Sequence, residues 1–411
     1  MIEKLQNFAQ GEMRTEGEIH RIGVLVACNH NEASAAIQNM AAGIRSSGGV
    51  PFIFDVPYFG YLARINPMTA KYAHNFRALA ATNLEALVKT HMLDGVVIIS
   101  ACEVTTAGLL LGTLKTACPV CVLPLGVDAV PASQLFTTNG GPEDITTTLI
   151  NTNPPHGIQG GIARGFFMML EKLGLAEKDS STNRVNTGPQ LKLAYKTGTR
   201  AVAFAKDLSS ARHYLTKEKL DTAFQQCLKK GACVGGFDLV ATLARENGQK
   251  IPHDFFESRE GKVILVSGGA CEDGGYVQIT ENTPINFSGR AWVYKSLEDA
   301  DHAISNGAVT EGVVVLQNCA DMDVSALMHT IVGMGHTNIA LATDGLCSTG
   351  DILTITNCRP SAYDNESFAN IQTGDVLEID LAKGRFNTSI PSKDMKTRAK
   401  RGTVKVASSH F

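Results

Sequence analysis

The strongest constraint on this chain is a change of rhythm part-way along it. Between residues 21 and 125, short and almost wholly apolar runs alternate with longer amphipathic ones. RIGVLVACNHN (21–31) is unbroken apolar from Ile22 to Ala27, and EASAAIQNMAAGIRSSGG (32–49) continues at helical spacing to a glycine stop. VPFIFDVP, a helical stretch over 76–92, DGVVIISACEVTTAGLLLGTLKTA and CPVCVLPLG repeat the theme. A strand apolar on both faces has no solvent side, so these runs predict a parallel sheet covered by helices above and below. Residues 160–174 and 190–248 read as mainly helical. Past about residue 256 the pattern turns to short strands and glycine-rich turns: KVILVSGG, YVQIT, AWVYKS, GVVVLQN, NIALATDG, DILTITN and DVLEIDL, with short helices near 297–306 and 324–332. The expected fold is α/β: a three-layer α/β/α domain with a parallel sheet over 1–255, then a β-barrel-like domain with flanking short helices over 256–411.

Composition narrows the partners. A hydrophobic content of 44 % is ample for large cores, and a net charge of −3 without a basic block argues against nucleic acid or anionic membranes. No apolar run reaches bilayer-spanning length, and MIEKLQNFAQGEMRTEGEIH is polar rather than signal-like, so a cytoplasmic protein is expected. The ten cysteines sit mostly in apolar strands or beside glycine, which suits free thiols or metal ligands better than disulfides. Cys118 and Cys121 form a CxxC at the start of an apolar strand, and read as packing thiols.

Two places concentrate polar chemistry. In parallel sheets ligands gather at the carboxyl ends of strands, where Cys28, Cys102 and Glu103 fall. Late in the chain, IALATDGLCSTGDILTITN (339–357) packs Asp344, Gly345, Cys347, Ser348, Thr349, Gly350 and Asp351 into one bend. Glycines and hydroxyls are ordinary turn residues, yet the same set could hold a basic or nucleophilic oxygen beside an acid. His30, His156 and His336 sit beside candidate cleft segments, either as hydrogen-bonding structural residues or as site residues. Arg164, just after Gly160 and Gly161 at a helix start, could meet an anionic substrate, pair with Glu103 or simply be a surface charge.

Taken in order, these segments resemble the dihydroxy-acid dehydratase / phosphogluconate dehydratase family. CNHN…AAGIRSSGGVPFIF, DGVVIISACEVTTAG, GPQLKLAYKTGTRAV, VSGGACEDGGYVQIT, FSGRAWVYKSLEDADHAI, TDGLCSTG and IQTGDVLEIDL follow its motifs through most of the chain. The resemblance implies a lyase of amino-acid or sugar-acid metabolism that eliminates water from a hydroxy acid to give a 2-keto acid, acting as a homodimer on a small acid. It also implies an iron–sulfur cluster that takes the leaving hydroxide and an adjacent Mg²⁺ that holds the substrate. Ser348 falls on the family's proton-abstracting serine, with Asp344, Thr349, His156 and Arg164 as candidate substrate contacts. Cys102 and Cys28 fall on cluster cysteines, and Glu103 on a metal-binding acid.

The ligand set is incomplete. The third family cysteine falls on Gln159, whose neutral amide is a far poorer partner for iron than a thiolate. Val104 stands where the family has a metal-binding lysine, Gly60 and Tyr61 where it has an acid, and only Asp321 or Asp323 could replace a further glutamate. Three readings follow: an active hydro-lyase, an enzyme of altered, cluster-free chemistry on a small acid, or a silent partner subunit in a heteromer with an active dehydratase.

Overall fold

The structure is a computed structural model that describes residues 19–60, 69, 72–126, 160–230, 232–257, 262–281, 283–320, 322–347, 352–362, 366–391, 394–395 and 398. Its first half is built on four parallel strands, β1 (His20–Ala27), β2 (Gly49–Asp55), β3 (Gly95–Ser100) and β4 (Val120–Pro124), in the order β2-β1-β3-β4. Helices α1 (His30–Ser46), α2 (Ala73–His91) and α3 (Glu103–Thr116) connect them. The strands are apolar throughout because both faces are covered. Ile22, Val24 and Val26 of β1 enter one core with α1, while Leu25 and Ala27 enter another with α2 and α3. Cys121 lies in the first core and Cys118 in the second, so the CxxC thiols serve two different layers.

Four further helices follow: α4 (Gly160–Leu173), α5 (Gly188–Lys206), α6 (Lys217–Leu228) and α7 (Val234–Glu246). Helix α5 lies across α1 on one side of the sheet. Helices α4 and α7 cross closely: a Cβ at Gly236 would run into the Ile162 carbonyl and the Phe166 amide.

The second half is a closed barrel with strand order β10-β6-β5-β12-β11-β7-β8-β9. Its strands are β5 (Val263–Gly268), β6 (Cys271–Gln278), β7 (Asn286–Tyr294), β8 (Gly312–Leu316), β9 (Ile339–Thr343), β10 (Thr354–Arg359), β11 (Val376–Asp380) and β12 (Arg385–Thr388). Strands β7, β8 and β9 run parallel, joined by the short helices α8 (Leu297–Ser305) and α9 (Ser325–Gly333). Alternation sorts the side chains, with Val313 and Val315 in the barrel's core and Val314 and Leu316 under α8 and α9. The barrel packs on the helices through α7: the Val234 amide donates to Gln278 Oε1 (3.0 Å), and Gln278 Nε2 donates to the Ala232 carbonyl (3.1 Å). Tyr276 and Val263 of the barrel join the helical core. Among the described residues, no helix is long and apolar enough to cross a membrane.

Candidate functional site at the strand tips

The strand order fixes where a ligand can sit. From β1 the chain steps outward to β2, then crosses back over β1 to β3, so the direction of winding reverses between β1 and β3. Loops leaving neighbouring strands there diverge to opposite faces and leave a crevice outside their carboxyl ends. The register pairs Ala27 with Ser100, which sets Cys28 and Cys102, one and two residues beyond, at that reversal.

Three strand ends contribute side chains. Beyond β1, Asn29 caps α1 by accepting the Asn31 amide (3.1 Å), and this turn presents Cys28, His30 and Glu32. At the tip of β2, Asp55 Oδ1 lies 2.6 Å from His30 Nδ1, with 46 % of the His30 side chain and 66 % of the Asp55 side chain exposed. Beyond β3, Ser100 braces the Cys102 backbone: its hydroxyl accepts the Cys102 amide (3.1 Å), and Thr106 Oγ1 donates to the Cys102 carbonyl (2.7 Å). Cys102 caps α3, and Glu103 opens it, buried to 1 % exposure.

Cys28 is half-buried, and its thiol is pushed up to about 12, chiefly by burial and then by the negative charges of Glu32 and Asp55. The nearby Tyr58 phenol is also raised, again mainly by burial and then by Cys28 and Glu32. At neutral pH Cys28 is therefore a protonated thiol rather than a ready thiolate.

The geometry does not suit the metals that the resemblance implies. Val104 is buried in an apolar cluster with Phe59, Ala73 and Cys102, with Phe76 packed against it, so the position of the family's lysine offers no donor. The Phe59 amide donates to Thr105 Oγ1 (2.8 Å), which holds the segment after β2 down on the start of α3. Among the described residues, no three His, Cys, Asp or Glu side chains stand together as a metal-holding group. Two cysteines with Gln159 in place of the third do not fit an ordinary three-cysteine cluster, and the apolar wall around Val104 does not fit Mg²⁺.

The other sequence candidates separate. Ser348, Thr349, His156 and Gln159 lie outside the described residues. Arg164 stands exposed on α4 between buried Ala163 and Gly165. Asp344 is fully buried, and its carboxylate accepts from the Cys319 amide (2.9 Å), the Asn318 amide (3.2 Å), the Ser361 hydroxyl (2.7 Å) and the Ala362 amide (3.0 Å). It thus ties the ends of β8 and β9 to the segment after β10. The next residues of the bend are fixed as firmly. The Gly345 carbonyl accepts from Thr356 Oγ1 and from the Asn357 amide (both 2.8 Å). The Cys347 amide donates to Thr356 Oγ1 (3.0 Å), and the Cys347 carbonyl accepts from Cys233 Sγ (3.5 Å) at the N-cap of α7. The bend therefore reaches the helical half immediately before Ser348.

Asp55 is the residue that sequence reasoning missed. It ends an ordinary strand and has no motif, and only the adjacency of β1 and β2 makes it a partner for His30. A search for polar residues at the carboxyl end of every parallel strand would have found it.

Comparison with known proteins agrees with this architecture in both halves. Residues 20–150 match the dihydroxy-acid/6-phosphogluconate dehydratase N-terminal family, and residues 253–410 match its C-terminal counterpart. The chain belongs to this family. Similar proteins include the dihydroxy-acid dehydratase of Thermodesulfovibrio yellowstonii, 22 % identical over 87 % of this chain and 84 % of that one. The dihydroxy-acid dehydratase of Sulfurisphaera tokodaii is 21 % identical over 92 % and 87 %, and that of Metallosphaera sedula 22 % over 94 % and 89 %. Family and relatives together support a hydroxy-acid dehydratase.

Proposed function

We propose that this protein is a hydro-lyase that removes water from a 2,3-dihydroxy or sugar acid to give a 2-keto acid, at the crevice outside β1, β2 and β3, by chemistry that does not use the family's cluster. The observation that carries this reading is the 2.6 Å His30–Asp55 pair beside Cys28. In the elimination a base takes the C2 proton, the C3 hydroxyl leaves as water with one added proton, and the resulting enol becomes the ketone. Asp55 holds the ring by Nδ1–H, which leaves Nε2 as the working atom. An imidazolium supported by a carboxylate can protonate the leaving hydroxyl, so the pair supplies the leaving-group assistance that a Lewis acid would otherwise give. Ser348, next in sequence to Cys347, is the candidate base; Gln159 in place of the third cluster cysteine favours the cluster-free form, and the apolar surroundings of Val104 argue against Mg²⁺. The resemblance to the family favours a homodimer.

The test is turnover of a panel of dihydroxy and sugar acids by the wild type, His30→Ala, Asp55→Asn and Ser348→Ala. His30→Ala is expected to lower kcat by about 10²- to 10⁴-fold. Unchanged turnover in His30→Ala would reject the role given to the pair. Iron and brown colour in anaerobically purified protein, both lost in Cys28→Ser and Cys102→Ser, would overturn the cluster-free chemistry. No turnover of any acid, together with a stable heteromer from the native host, would favour a silent subunit.

A further inference from the structure

The segment that follows β2 crosses the mouth of the strand-tip crevice. Its start stays against β1, the Val56 amide donating to the Val26 carbonyl (3.1 Å). Its end is the Phe59 amide on Thr105 Oγ1, in the first turn of α3, and both Val56 and Phe59 are buried. Pro57 and Tyr58 alone join these two anchors, so they run from the tip of β1 to the start of the helix that follows β3. Tyr58 is 45 % exposed on this crossing, and its hydroxyl makes no hydrogen bond among the described residues.

Two observations say what such a phenol meets. Cys28 and Glu32 both act on its titration, after burial, so it stays protonated and shares their side of the crevice. Glu32 is half-buried on the first turn of α1, where its carbonyl accepts from Asn186 Nδ2 (3.1 Å). The rim itself is polar. Among the described residues, the exposed positions at the β1 and β2 tips are Asn29, His30, Asn31, Asp55, Pro57 and Tyr58, whereas Val56, Phe59, Cys102 and Val104 are buried. An aliphatic substrate tail gains affinity only by burial against apolar surface, which this rim withholds. A carboxylate and a phenol together can accept from and donate to a hydroxyl.

We propose that Tyr58 and Glu32 set specificity at the strand tips by hydrogen-bonding the C4 hydroxyl of the substrate, so that acids hydroxylated at C4 are preferred to those with an alkyl chain there. The proposal rests on the reading of the strand tips as the substrate site. C4 adjoins the carbon whose hydroxyl His30 protonates, as Glu32 and Tyr58 adjoin His30 and Asp55 on the rim. Charge fixes the same orientation: Glu32 and Asp55 repel the substrate carboxylate, which lies on the far side of C2 from C4. The C4 hydroxyl donates to Glu32 and accepts from Tyr58, and the tyrosine ring covers the C–H face of the chain.

The experiment uses the full chain and the aldonic acids of four to six carbons, each against its 4-deoxy counterpart, which lacks one oxygen. Affinity is measured by competition in saturation-transfer NMR, and kcat and KM wherever turnover occurs. At least one aldonic acid should bind about tenfold or more tightly than its 4-deoxy form. Tyr58→Phe, which keeps the ring on an exposed side chain, should lower that ratio by about threefold or more, and Glu32→Gln likewise, the change appearing in KM rather than kcat. A general loss of structure would weaken both acids alike and leave the ratio where it was. Preferential binding without turnover of any acid would uphold this specificity while rejecting the lyase reading. The proposal is overturned if no aldonic acid binds, if each acid and its 4-deoxy form bind equally, or if the ratio is unchanged in both variants.

Discussion

Asp344 offers the sharpest test of what the glycine-rich bend is for. Its carboxylate, at the end of β9, accepts four hydrogen bonds from two other strand-end segments and has no exposed surface. A hydrogen bond to a charged group contributes about 1.5–3 kcal/mol, so simple addition for Asp344→Ala would overshoot. The donors share one acceptor group and relax together, which brings the expected loss nearer the 3–5 kcal/mol (roughly) of a broken buried ionic network. The chain's single tryptophan, Trp292, lies on β7 of the barrel, its Nε1 donating to the Glu311 carbonyl (3.0 Å). Its fluorescence therefore reports unfolding of the barrel rather than of the parallel sheet. With a urea slope of about 3 kcal/mol per molar, the Trp292 midpoint should fall by roughly 1 to 2 M. A loss below about 1 kcal/mol would refute the reasoning, since it would mean that the surrounding amides and the Ser361 hydroxyl find other acceptors at no cost.

The remaining predictions concern the sheet half. Val104→Lys should destabilise the fold by about 2–4 kcal/mol in thermal melts without creating a metal site, because the new ammonium enters the cluster of Phe59, Ala73 and Phe76; a variant that melts like the wild type and gains Mg²⁺ affinity would reverse this. Gly236→Ala should cost about 1–3 kcal/mol, as the added methyl meets the backbone of α4, and unchanged melting would show that the crossing yields freely. Cys28 has a folded-state pKa of about 12, so its thiolate is scarce at pH 8 and increases with pH. Its labelling rate by a thiol reagent should rise about tenfold per pH unit from pH 8 to 10 and vanish in Cys28→Ser, whereas a rate that levels off below pH 9 would show an ordinary thiol.

Much of the fold was legible in the sequence because it rests on local signals. Strands β1, β3 and β4 announce themselves as apolar runs since burial on both faces leaves no polar position. Helices α8 and α9 lie within a residue or two of their expected spans, since helical periodicity is carried by neighbouring residues. Strand β12 left no signal: RFNT is short and partly polar, yet it pairs with β11 and, through Arg385 and Ser267, with β5. Strand β6 also begins earlier than its apolar run, because CEDGG owes its strand conformation to pairing with β5 and β10.

For the site, the sequence by itself determined the inventory: which strands end in Cys28 and Cys102, that Glu103 opens a helix, and that Val104 cannot ligate a metal. Tertiary structure alone decided the meaning of these residues. It brought Asp55 to His30, surrounded Val104 with aromatic rings, and turned Asp344 into a clamp. The physical reason is that side-chain identity is a local property of the chain. Partnership, burial and charge balance arise only when segments distant in sequence are packed against one another.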